Sequence, residues 1–327
     1  MHQKLVSVII PTYNRAHLVV EAIKSVKAQS YPATQIIVAD DGSQDGTAQI
    51  VAQFENVEYY YQENKGQAAA RNLGLSYAKG QYIASLDSDD IWDKDFLKVA
   101  VAALERYQVD FVFLNWTEIS GTIQSSSEWE RSKILRKYSK NPNGEWSLLN
   151  TEEVRDLYLK TCPAPSSALL IRRSSFVSGW NEDMKIADDW YLILEMVLMK
   201  PCSAAFNSSP HWTKHIHSSN IYHGREEIEV IRDLGLHDEA LFATRFQERL
   251  TFVEKSNLQK RLAIHHFNFG RLNWRRDGFS LEALQSIATA FTLAPVGSVL
   301  YITRMSFSHL RNRFRIARDK IKQSQKI

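Results

Sequence analysis

Residues 82–92 read YIASLDSDDIW, an apolar run that passes directly into a cluster of carboxylates. The apolar part predicts a buried β-strand over Gln81–Leu86. If the backbone stays extended beyond it, Asp87 and Asp89 point the same way, because alternate residues of a strand share a face. Two like charges held close need a cation to offset their repulsion, and Mg²⁺ or Mn²⁺ binds one or two carboxylates together with substrate phosphates. A helix cap or a turn is the alternative, since Asp and Ser favour both.

Three earlier runs also predict strands, at Leu5–Ile10, Gln35–Ala39 and Val57–Tyr61. Apolar residues at helical spacing follow each of them, and Asn14 is a candidate cap for the first helix. Strands that alternate with helices of this length indicate a mainly parallel, Rossmann-like sheet with helices on both faces. The predicted fold class is therefore α/β.

Three polar clusters follow the predicted strands: Pro11 with Tyr13, Asp40 with Asp41, and Asp87–Asp90. In open α/β sheets ligands bind outside the carboxyl ends of the strands, so we expect the clusters to meet at one site. An ionised Asp40 or Asp41 only accepts hydrogen bonds, which suits a base N–H or a ribose hydroxyl. The Tyr13 ring suits stacking on a base. A simple turn and a packing residue are the alternatives.

Three side chains further along the chain are candidates for the same site. Arg71 lies one turn into a helix that begins near Gln67, where phosphate is favoured and the arginine would add charge; a solvated arginine is the alternative. Asp189 starts an amphipathic helix, either as a helix cap or as a general base. His217 is either a ligand or a histidine of a surface loop.

The composition limits the class of protein. The chain has 327 residues, 44% of them hydrophobic, and a formal net charge of +3, which excludes a mostly disordered or fibrous chain. The two cysteines form no disulfide framework, and no Cys/His set has zinc spacing. The usual glycine-rich dinucleotide and P-loop sequences are absent, as is the G-x-S-x-G sequence of α/β-hydrolases. A bound nucleotide must therefore be held in another way.

The organisation predicted along the chain is an α/β domain over residues 1–225 and a helical region over residues 226–327. A polar segment at about 120–150 interrupts the first domain and is predicted to be a loop-rich insertion. The N-terminal apolar run stops at Pro11, too early for a secretory signal, so we expect a cytoplasmic protein.

Charge is unevenly distributed along the sequence. Residues 303–327 contain eight basic residues and one acid, a formal charge of +7, which leaves −4 on the remainder. Apolar residues are interleaved with these charges, a composition that suits an interfacial helix on anionic lipid. We therefore expect peripheral attachment to the inner face of the cell membrane; a basic helix packed on its own catalytic domain is the alternative. The acidic remainder argues against nucleic acid as a partner.

Six segments together resemble the family 2 glycosyltransferases of GT-A fold, in the family's order over residues 5–220. They are VSVIIPTYNR (6–15), IVADDGSQDGT (37–47), NKGQAAARNLG (64–74), YIASLDSDDIW (82–92), ADDWYLIL (187–194) and, more loosely, KHIHSS (214–219). Asp188 stands where the family usually has Glu, which leaves the following carboxylate in place. The segment His217-Ser218-Ser219 replaces a His-Pro-Gly-type loop.

The resemblance implies a nucleotide-binding role for several of these residues. Pro11, Tyr13 and Asp41 match the nucleotide-base pocket, with Asp41 accepting a hydrogen bond from the pyrimidine N3–H. Asp40 and Arg71 match positions beside that pocket. A UDP- or dTDP-sugar donor is favoured, because Asp41 suits a pyrimidine.

The resemblance also implies a metal and a reaction. Asp89 matches the carboxylate that holds a divalent metal, Mn²⁺ or Mg²⁺, on the diphosphate, and Asp87 matches a position near the ribose or the metal. His217 falls near the histidine that some members bring to the diphosphate. Asp189 matches the catalytic base, which deprotonates an acceptor hydroxyl so that it displaces the nucleotide with inversion. The implied acceptor is a saccharide or a lipid-linked saccharide of cell-surface polysaccharide or glycolipid synthesis.

Two other functions are open to the same residues. A sugar-nucleotide pyrophosphorylase shares the sheet, the nucleotide and the metal, but it needs a glycine-rich basic loop after the first strand, and Pro11–Arg15 is not such a loop. A non-catalytic nucleotide-sugar-binding module would be indicated by the loss of a key carboxylate, and all of them are present.

Overall fold

The computed structural model describes residues 3–126, 132–139, 146–217, 220, 224–301 and 303. The chain divides into two compact units, Met1–Gly224 and Arg225–Ile327. The basic segment 304–327, with its predicted interfacial helix, lies outside the described residues.

The described part of the first unit contains one sheet of ten strands in the order β3-β2-β1-β4-β9-β6-β10-β5, with β7 beside β6 and β8 beside β10. The strands are β1 (Val6–Thr12), β2 (Thr34–Asp40), β3 (Val57–Tyr61), β4 (Tyr82–Ser85), β5 (Ile91–Trp92), β6 (Phe111–Ser120), β7 (Ile123–Ser126), β8 (Trp146–Leu149), β9 (Leu169–Arg172) and β10 (Ala204–His215).

The longest strands of this sheet pair in parallel. Strand β1 pairs in parallel with both β2 and β4, β2 pairs with β3, and β6 pairs with β10. Strand β9 runs antiparallel between β4 and β6, and the short strands β5, β7 and β8 are also antiparallel. All seven residues of β1 are buried, as expected for a strand whose two faces are both covered.

Helices flank the sheet, in agreement with the predicted fold class. The described helices of the first unit are α1 (Ala16–Lys27), α2 (Thr47–Val51), α3 (Gln67–Tyr77), α4 (Phe96–Tyr107), α5 (Lys133–Tyr138), α6 (Thr151–Lys160) and α7 (Asp188–Met199). Asn14 does not cap α1: the N-cap residue is Arg15, and the Asn14 side chain instead accepts a hydrogen bond from the Gln44 backbone N–H.

The segment at 120–150 is more regular than the sequence predicts. Its described residues include strand β7, helix α5 and strand β8. Strand β8 pairs with β10 over residues 204–207, so the segment returns to the main sheet. The sequence does not predict these elements because each is only four to six residues long, too short to show a clear apolar period among polar residues.

The described part of the second unit is helical, as predicted. Its elements are α8 (Glu227–Val230), a π-helix (Ile231–Asp238), α9 (Glu239–Arg245), α10 (Phe252–Asp277), α11 (Leu281–Leu293) and a short helix, Pro295–Tyr301. Within the described residues no single helix is long and apolar enough to cross a membrane, although α11 and the short helix pass that test as a pair bent by 116°.

Helix α3 packs closely on strand β1 because Gly74 has no side chain. A Cβ at this position would lie 2.4 Å from Cγ2 of Ile9, which is fully buried. The close approach positions α3, whose first turns line the cleft described below.

We expect Gly74→Ala to destabilise the protein by about 1–3 kcal/mol, because the added methyl overlaps a β-branched side chain that cannot rotate away. Urea unfolding measures the change. Gly46→Ala is the matched control, since a Cβ there meets no atom within 4 Å. Equal stabilities of the two variants would contradict the packing argument.

Candidate active site

A cleft of about 590 Å³ opens at the carboxyl edge of the parallel strands. Thr12 of β1 is paired with Asp40 of β2, and Ile9 of β1 with Ser85 of β4, so the segments that follow these three strands leave the sheet side by side. The cleft is lined by most of the predicted site residues: Pro11, Tyr13, Asp41, Arg71, Asp87, Asp89 and Asp189. The predicted convergence of the three polar clusters is therefore observed.

Asp41 and Tyr13 form one end of the site. Asp41 is buried and accepts hydrogen bonds from the Gln62 side chain (2.7 Å) and from the backbone N–H groups of Lys65 (2.9 Å) and Gly66 (2.8 Å). Among the described residues Oδ2 receives only the Gly66 bond, and a carboxylate oxygen has two lone pairs, so one acceptor site remains toward these residues. The Tyr13 side chain is 48% exposed and offers its ring for stacking.

Asp40 lies outside the cleft lining. Its side chain is completely buried, where it accepts hydrogen bonds from the Ser43 backbone N–H (2.8 Å) and from the Tyr59 hydroxyl (2.7 Å). Asp40 is the last residue of β2, Asp41 already belongs to the turn that follows, and of the two only Asp41 lines the cleft. In this structure Asp40 therefore stabilises the turn after β2, and the structure does not bring it to the nucleotide-binding candidates.

Three carboxylates meet beyond the end of β4. One oxygen each from Asp87, Asp89 and Asp90 lies within 4.8 Å of the others. Burial, together with the charges of Asp89 and Asp87, raises the pKa of Asp90 well above its ordinary value. Asp90 is held by the Ser167 hydroxyl at 2.7 Å.

Asp89 is the most heavily contacted member of this cluster. Its Oδ2 atom receives Nη1 of Arg15 at 2.8 Å, Nδ2 of Asn220 at 3.0 Å and Nε2 of His217 at 3.1 Å. His217, predicted either as a ligand or as a surface loop residue, therefore contacts the metal-ligand candidate directly. Carboxylate oxygens are the donors that suit Mg²⁺ or Mn²⁺, so the cluster of Asp87, Asp89 and Asp90 fits a divalent cation.

Arg71 lies between two acidic side chains and is only 3% exposed. Its Nη2 atom contacts Asp87 at 2.6 Å, its Nη1 atom pairs with Asp188, and its Nε atom donates to Ser85 at 3.2 Å. The sequence offered a phosphate ligand or a solvated arginine. In this structure the guanidinium pairs with the carboxylates of Asp87 and Asp188. It therefore links the segment after β4 to the start of α7.

Asp189 lies in the first turn of α7 and is half-buried at the edge of the cleft. Oδ2 accepts from the Ser166 backbone N–H at 3.1 Å, and Oδ1 accepts from the Trp190 N–H at 2.7 Å. Burial raises the pKa of Asp189 to about 7; the Asp188 carboxylate adds to the rise and the Arg71 guanidinium opposes it. A carboxylate with this pKa can accept a proton near neutral pH.

The sequence pattern predicted no role for three residues that lie at this site: Gln67, Asn220 and Arg15. Gln67 donates to Asp188 at 2.6 Å, whereas Asn220 and Arg15 both contact Asp89. Gln67 directly follows the Asn-Lys-Gly turn at the start of α3, and this position could have indicated a role at the site. No local sequence pattern points to Asn220, because it is 131 residues from the side chain that it contacts.

The sequence pattern of the family described as "Glycosyl transferase family 2" matches residues 7–179, which is more than half of the chain. The chain therefore belongs to glycosyl transferase family 2, and the family predicted from the six segments is confirmed.

Two curated relatives match parts of the chain. UDP-Glc:alpha-D-GlcNAc-diphosphoundecaprenol beta-1,3-glucosyltransferase WfgD of Escherichia coli is 37% identical over 123 residues, which cover 37% of this chain and 49% of WfgD. Poly(ribitol-phosphate) beta-N-acetylglucosaminyltransferase TarS of Staphylococcus aureus is 27% identical over 288 residues, 84% of this chain and 46% of TarS. The chain thus spans about half the length of these relatives.

Solved structures share the fold over most of the chain. The structure of TarS residues 1–349 has a TM-score of 0.58 and 20% identity, over 89% of this chain and 81% of that one. Mannosyltransferase PcManGT from Pyrobaculum calidifontis has a TM-score of 0.56 and 19% identity, over 97% of this chain and 83% of that one. These similarities confirm the predicted GT-A fold.

We expect Arg71→Met to destabilise the protein by about 3–5 kcal/mol, because it leaves the buried Asp188 without its cation. The loss grows as pH rises. Without the guanidinium the folded-state pKa of Asp188 rises further above its unfolded value, so the folded form binds more protons and stability falls once the carboxylate must ionise. Urea unfolding at several pH values measures both effects.

The matched control for this prediction is Lys4→Met, which breaks the exposed pair between Lys4 and Glu105 (44% and 37% exposed). We expect it to cost less than about 1 kcal/mol. An Arg71→Met loss no larger than the control's, or one independent of pH, would show that Arg71 does not hold the two carboxylates.

Proposed function

We propose that this protein is an inverting glycosyltransferase that moves a sugar from a nucleotide diphosphate sugar to a hydroxyl acceptor. The observation that carries the proposal is that one cleft brings together Asp41 with Tyr13, a three-carboxylate cluster and a half-buried carboxylate, Asp189, whose pKa is raised to about 7. An inverting, metal-assisted transfer from a nucleotide sugar uses these three parts together: a site for the base, ligands for the metal and a proton acceptor.

The donor is proposed to be a UDP- or dTDP-sugar. The remaining acceptor site of Asp41 and the exposed ring of Tyr13 support a pyrimidine base. Among the structures with the same fold, TarS residues 1–349 have been crystallised with UDP and with UDP-GlcNAc. PcManGT was crystallised with GDP-Man and Mn²⁺, which shows that this fold also accepts a purine donor in that protein.

The chemistry on the acceptor side rests on Asp189. Its carboxylate accepts the proton of the acceptor hydroxyl while the hydroxyl oxygen bonds to the anomeric carbon, opposite the leaving diphosphate. The bond from the anomeric carbon to the diphosphate oxygen breaks with its electron pair on the oxygen, so the configuration inverts. The hydrogen bonds from Ser166 and Trp190 hold the carboxylate in place.

The leaving group is proposed to depart with help from a divalent cation. Asp89 would hold the ion, with Asp87 and His217 beside it, and the ion would neutralise the charge that develops on the diphosphate. Arg71 keeps Asp87 oriented through the contact described above.

The acceptor and the location are proposed from the relatives and the tail. WfgD is named for a GlcNAc-diphosphoundecaprenol acceptor and TarS for poly(ribitol-phosphate). We propose a saccharide or lipid-linked acceptor for this protein, and attachment to the cytoplasmic face of the membrane through the basic segment 304–327. Exposed apolar side chains at helical spacing on α11 (Leu281, Leu284 and Phe291) support the attachment.

A screen of nucleotide sugars for hydrolysis and for transfer to saccharide acceptors, with Mn²⁺ present, tests the proposed function. We expect a UDP- or dTDP-sugar to be consumed and the nucleoside diphosphate to be released. Release of triphosphate from nucleotide sugar and pyrophosphate would indicate a pyrophosphorylase instead. Donor binding by thermal shift without any turnover would indicate a binding module.

We expect Asp189→Asn to reduce transfer by at least about 100-fold, because the amide keeps the size of the side chain but cannot accept the proton. Donor affinity should change less than about twofold, since the base contacts the acceptor. Steady-state kinetics and donor titration measure the two effects separately. A folded variant that loses donor binding would make Asp189 a structural cap.

The same base predicts the pH dependence of transfer. With a pKa of about 7, Asp189 is protonated and inactive on the acid side. At saturating donor the rate should fall about tenfold for each pH unit below 7 and level off above it. Any residual rate of Asp189→Asn should lack this slope. A wild-type rate that is flat between about pH 5.5 and about pH 8 would remove Asp189 from the role.

We expect Asp89→Ala to lose most of the activity and excess EDTA to reproduce the loss in the wild-type protein, because both remove the cation from the diphosphate. Added Mn²⁺ should restore the EDTA-treated protein but not the variant. Full activity in excess EDTA would contradict a metal requirement.

Membrane attachment is tested by co-sedimentation with anionic liposomes. We expect the full chain to bind and binding to weaken as salt rises, because basic residues near an anionic surface each contribute about 1 kcal/mol. A chain ending at Thr303 should bind less. Equal binding by both chains, or binding that ignores salt, would rule out attachment through the basic segment.

A further inference from the structure

One oxygen atom of the metal-ligand candidate is already crowded. Three nitrogen atoms approach Oδ2 of Asp89: Nη1 of Arg15 at 2.8 Å, Nδ2 of Asn220 at 3.0 Å and Nε2 of His217 at 3.1 Å. The Asp89 side chain is 6% exposed. A carboxylate oxygen has only two lone pairs, so a cation bound to this atom leaves room for one of the three donors and displaces the other two.

Arg15 is one of the two donors that must leave. Asn220 is uncharged, and a neutral His217 has a ring nitrogen that can itself bind a metal. A guanidinium stays protonated at every relevant pH, has no lone pair to offer and repels a second cation. The Arg15 side chain is also 21% exposed and lines the cleft, so it can move into the cleft when it leaves Asp89.

The freed side chain remains close to where the donor is expected. Arg15 follows Tyr13 and Asn14 in the chain, and all three line the same cleft as the carboxylate cluster. A guanidinium presents parallel N–H groups that match phosphate oxygens, and a diphosphate is the one large anion that the proposed reaction brings there.

We propose that Arg15 is an exchangeable counter-ion: it neutralises Asp89 in the metal-free protein and transfers to the donor's diphosphate when the metal binds. This inference rests on the proposed function for the identity of the diphosphate. Its consequence is that metal and nucleotide bind cooperatively. A metal ion on Asp89 releases Arg15 for the diphosphate, and a diphosphate that binds Arg15 leaves Asp89 open to the metal ion. Such coupling is reciprocal, so it can be measured from either ligand.

The test measures Mn²⁺ affinity from the electron paramagnetic resonance signal of free Mn²⁺, with and without UDP. In the wild-type protein we expect weak Mn²⁺ binding that UDP tightens by about tenfold or more. Arg15→Met should bind Mn²⁺ alone several-fold more tightly than wild type, because the competitor is gone. It should also bind UDP more weakly, and the factor by which UDP tightens Mn²⁺ should shrink.

Lys214→Met is the matched control, since Lys214 lines the same cleft and makes no hydrogen bond to Asp89 among the described contacts. It removes one positive charge from the cleft, as Arg15→Met does, so it measures how much that loss of charge alone raises the Mn²⁺ affinity. We expect this gain to be smaller than the gain of Arg15→Met. Equal gains in both variants, or unchanged or weaker Mn²⁺ binding by Arg15→Met, would overturn the proposal. Absence of Mn²⁺ binding by the wild-type protein even with UDP would also overturn it.

Two further readouts separate this proposal from other failures. Arg15→Gln keeps a hydrogen-bond donor without charge and should give the same direction of change if Arg15→Met does not fold. In EDTA the Arg15 variants should unfold at a lower temperature than wild type, and Mn²⁺ should narrow that difference. If the Mn²⁺ results are as expected but no nucleotide sugar is consumed, the counter-ion role stands and the proposed function fails.

Discussion

The buried guanidinium of Arg71 is the interaction on which the cleft depends. It joins Asp87, just beyond the end of β4, to Asp188 at the start of α7, two residues that are 101 positions apart in the chain. Removing a charge from water is costly unless it is paired and hydrogen-bonded, and Arg71 meets that condition with two carboxylates and the Ser85 hydroxyl. The metal-side carboxylates and the candidate base are therefore fixed relative to each other by one cation.

The site as a whole has more negative than positive charge. Asp87, Asp89 and Asp90 meet at one point, and Asp188 precedes Asp189. Burial combined with this repulsion raises the pKa of Asp90 and of Asp189. Arg71 and Arg15 offset part of the charge within the protein. The negative charge that remains favours binding of a divalent cation at Asp89 and acceptance of a proton at Asp189. The proposed reaction requires both.

The sequence was sufficient to predict the fold and most of the site, because apolar runs ending in polar clusters report both the strands and the edge at which they end. It placed both Asp40 and Asp41 at the nucleotide, whereas in the structure only Asp41 of the two lines the cleft and Asp40 is bonded to the Tyr59 hydroxyl, a contact that depends on the pairing of β2 with β3. The hydrogen-bond partners of Asp89 also could not be predicted from the sequence. Arg15 lies 74 residues before it and Asn220 lies 131 residues after it. Such contacts depend on tertiary structure, and no local pattern encodes them.

The proposed site is tested most directly by a crystal structure of the protein with UDP and Mn²⁺, with the metal located by its anomalous scattering. We expect a single strong anomalous peak within coordination distance of Asp89 and of the diphosphate. We also expect a uracil ring against Tyr13, with its N3–H directed at Asp41. A nucleotide bound away from this cleft, or a metal that binds the diphosphate without contacting Asp89, would contradict the proposed site.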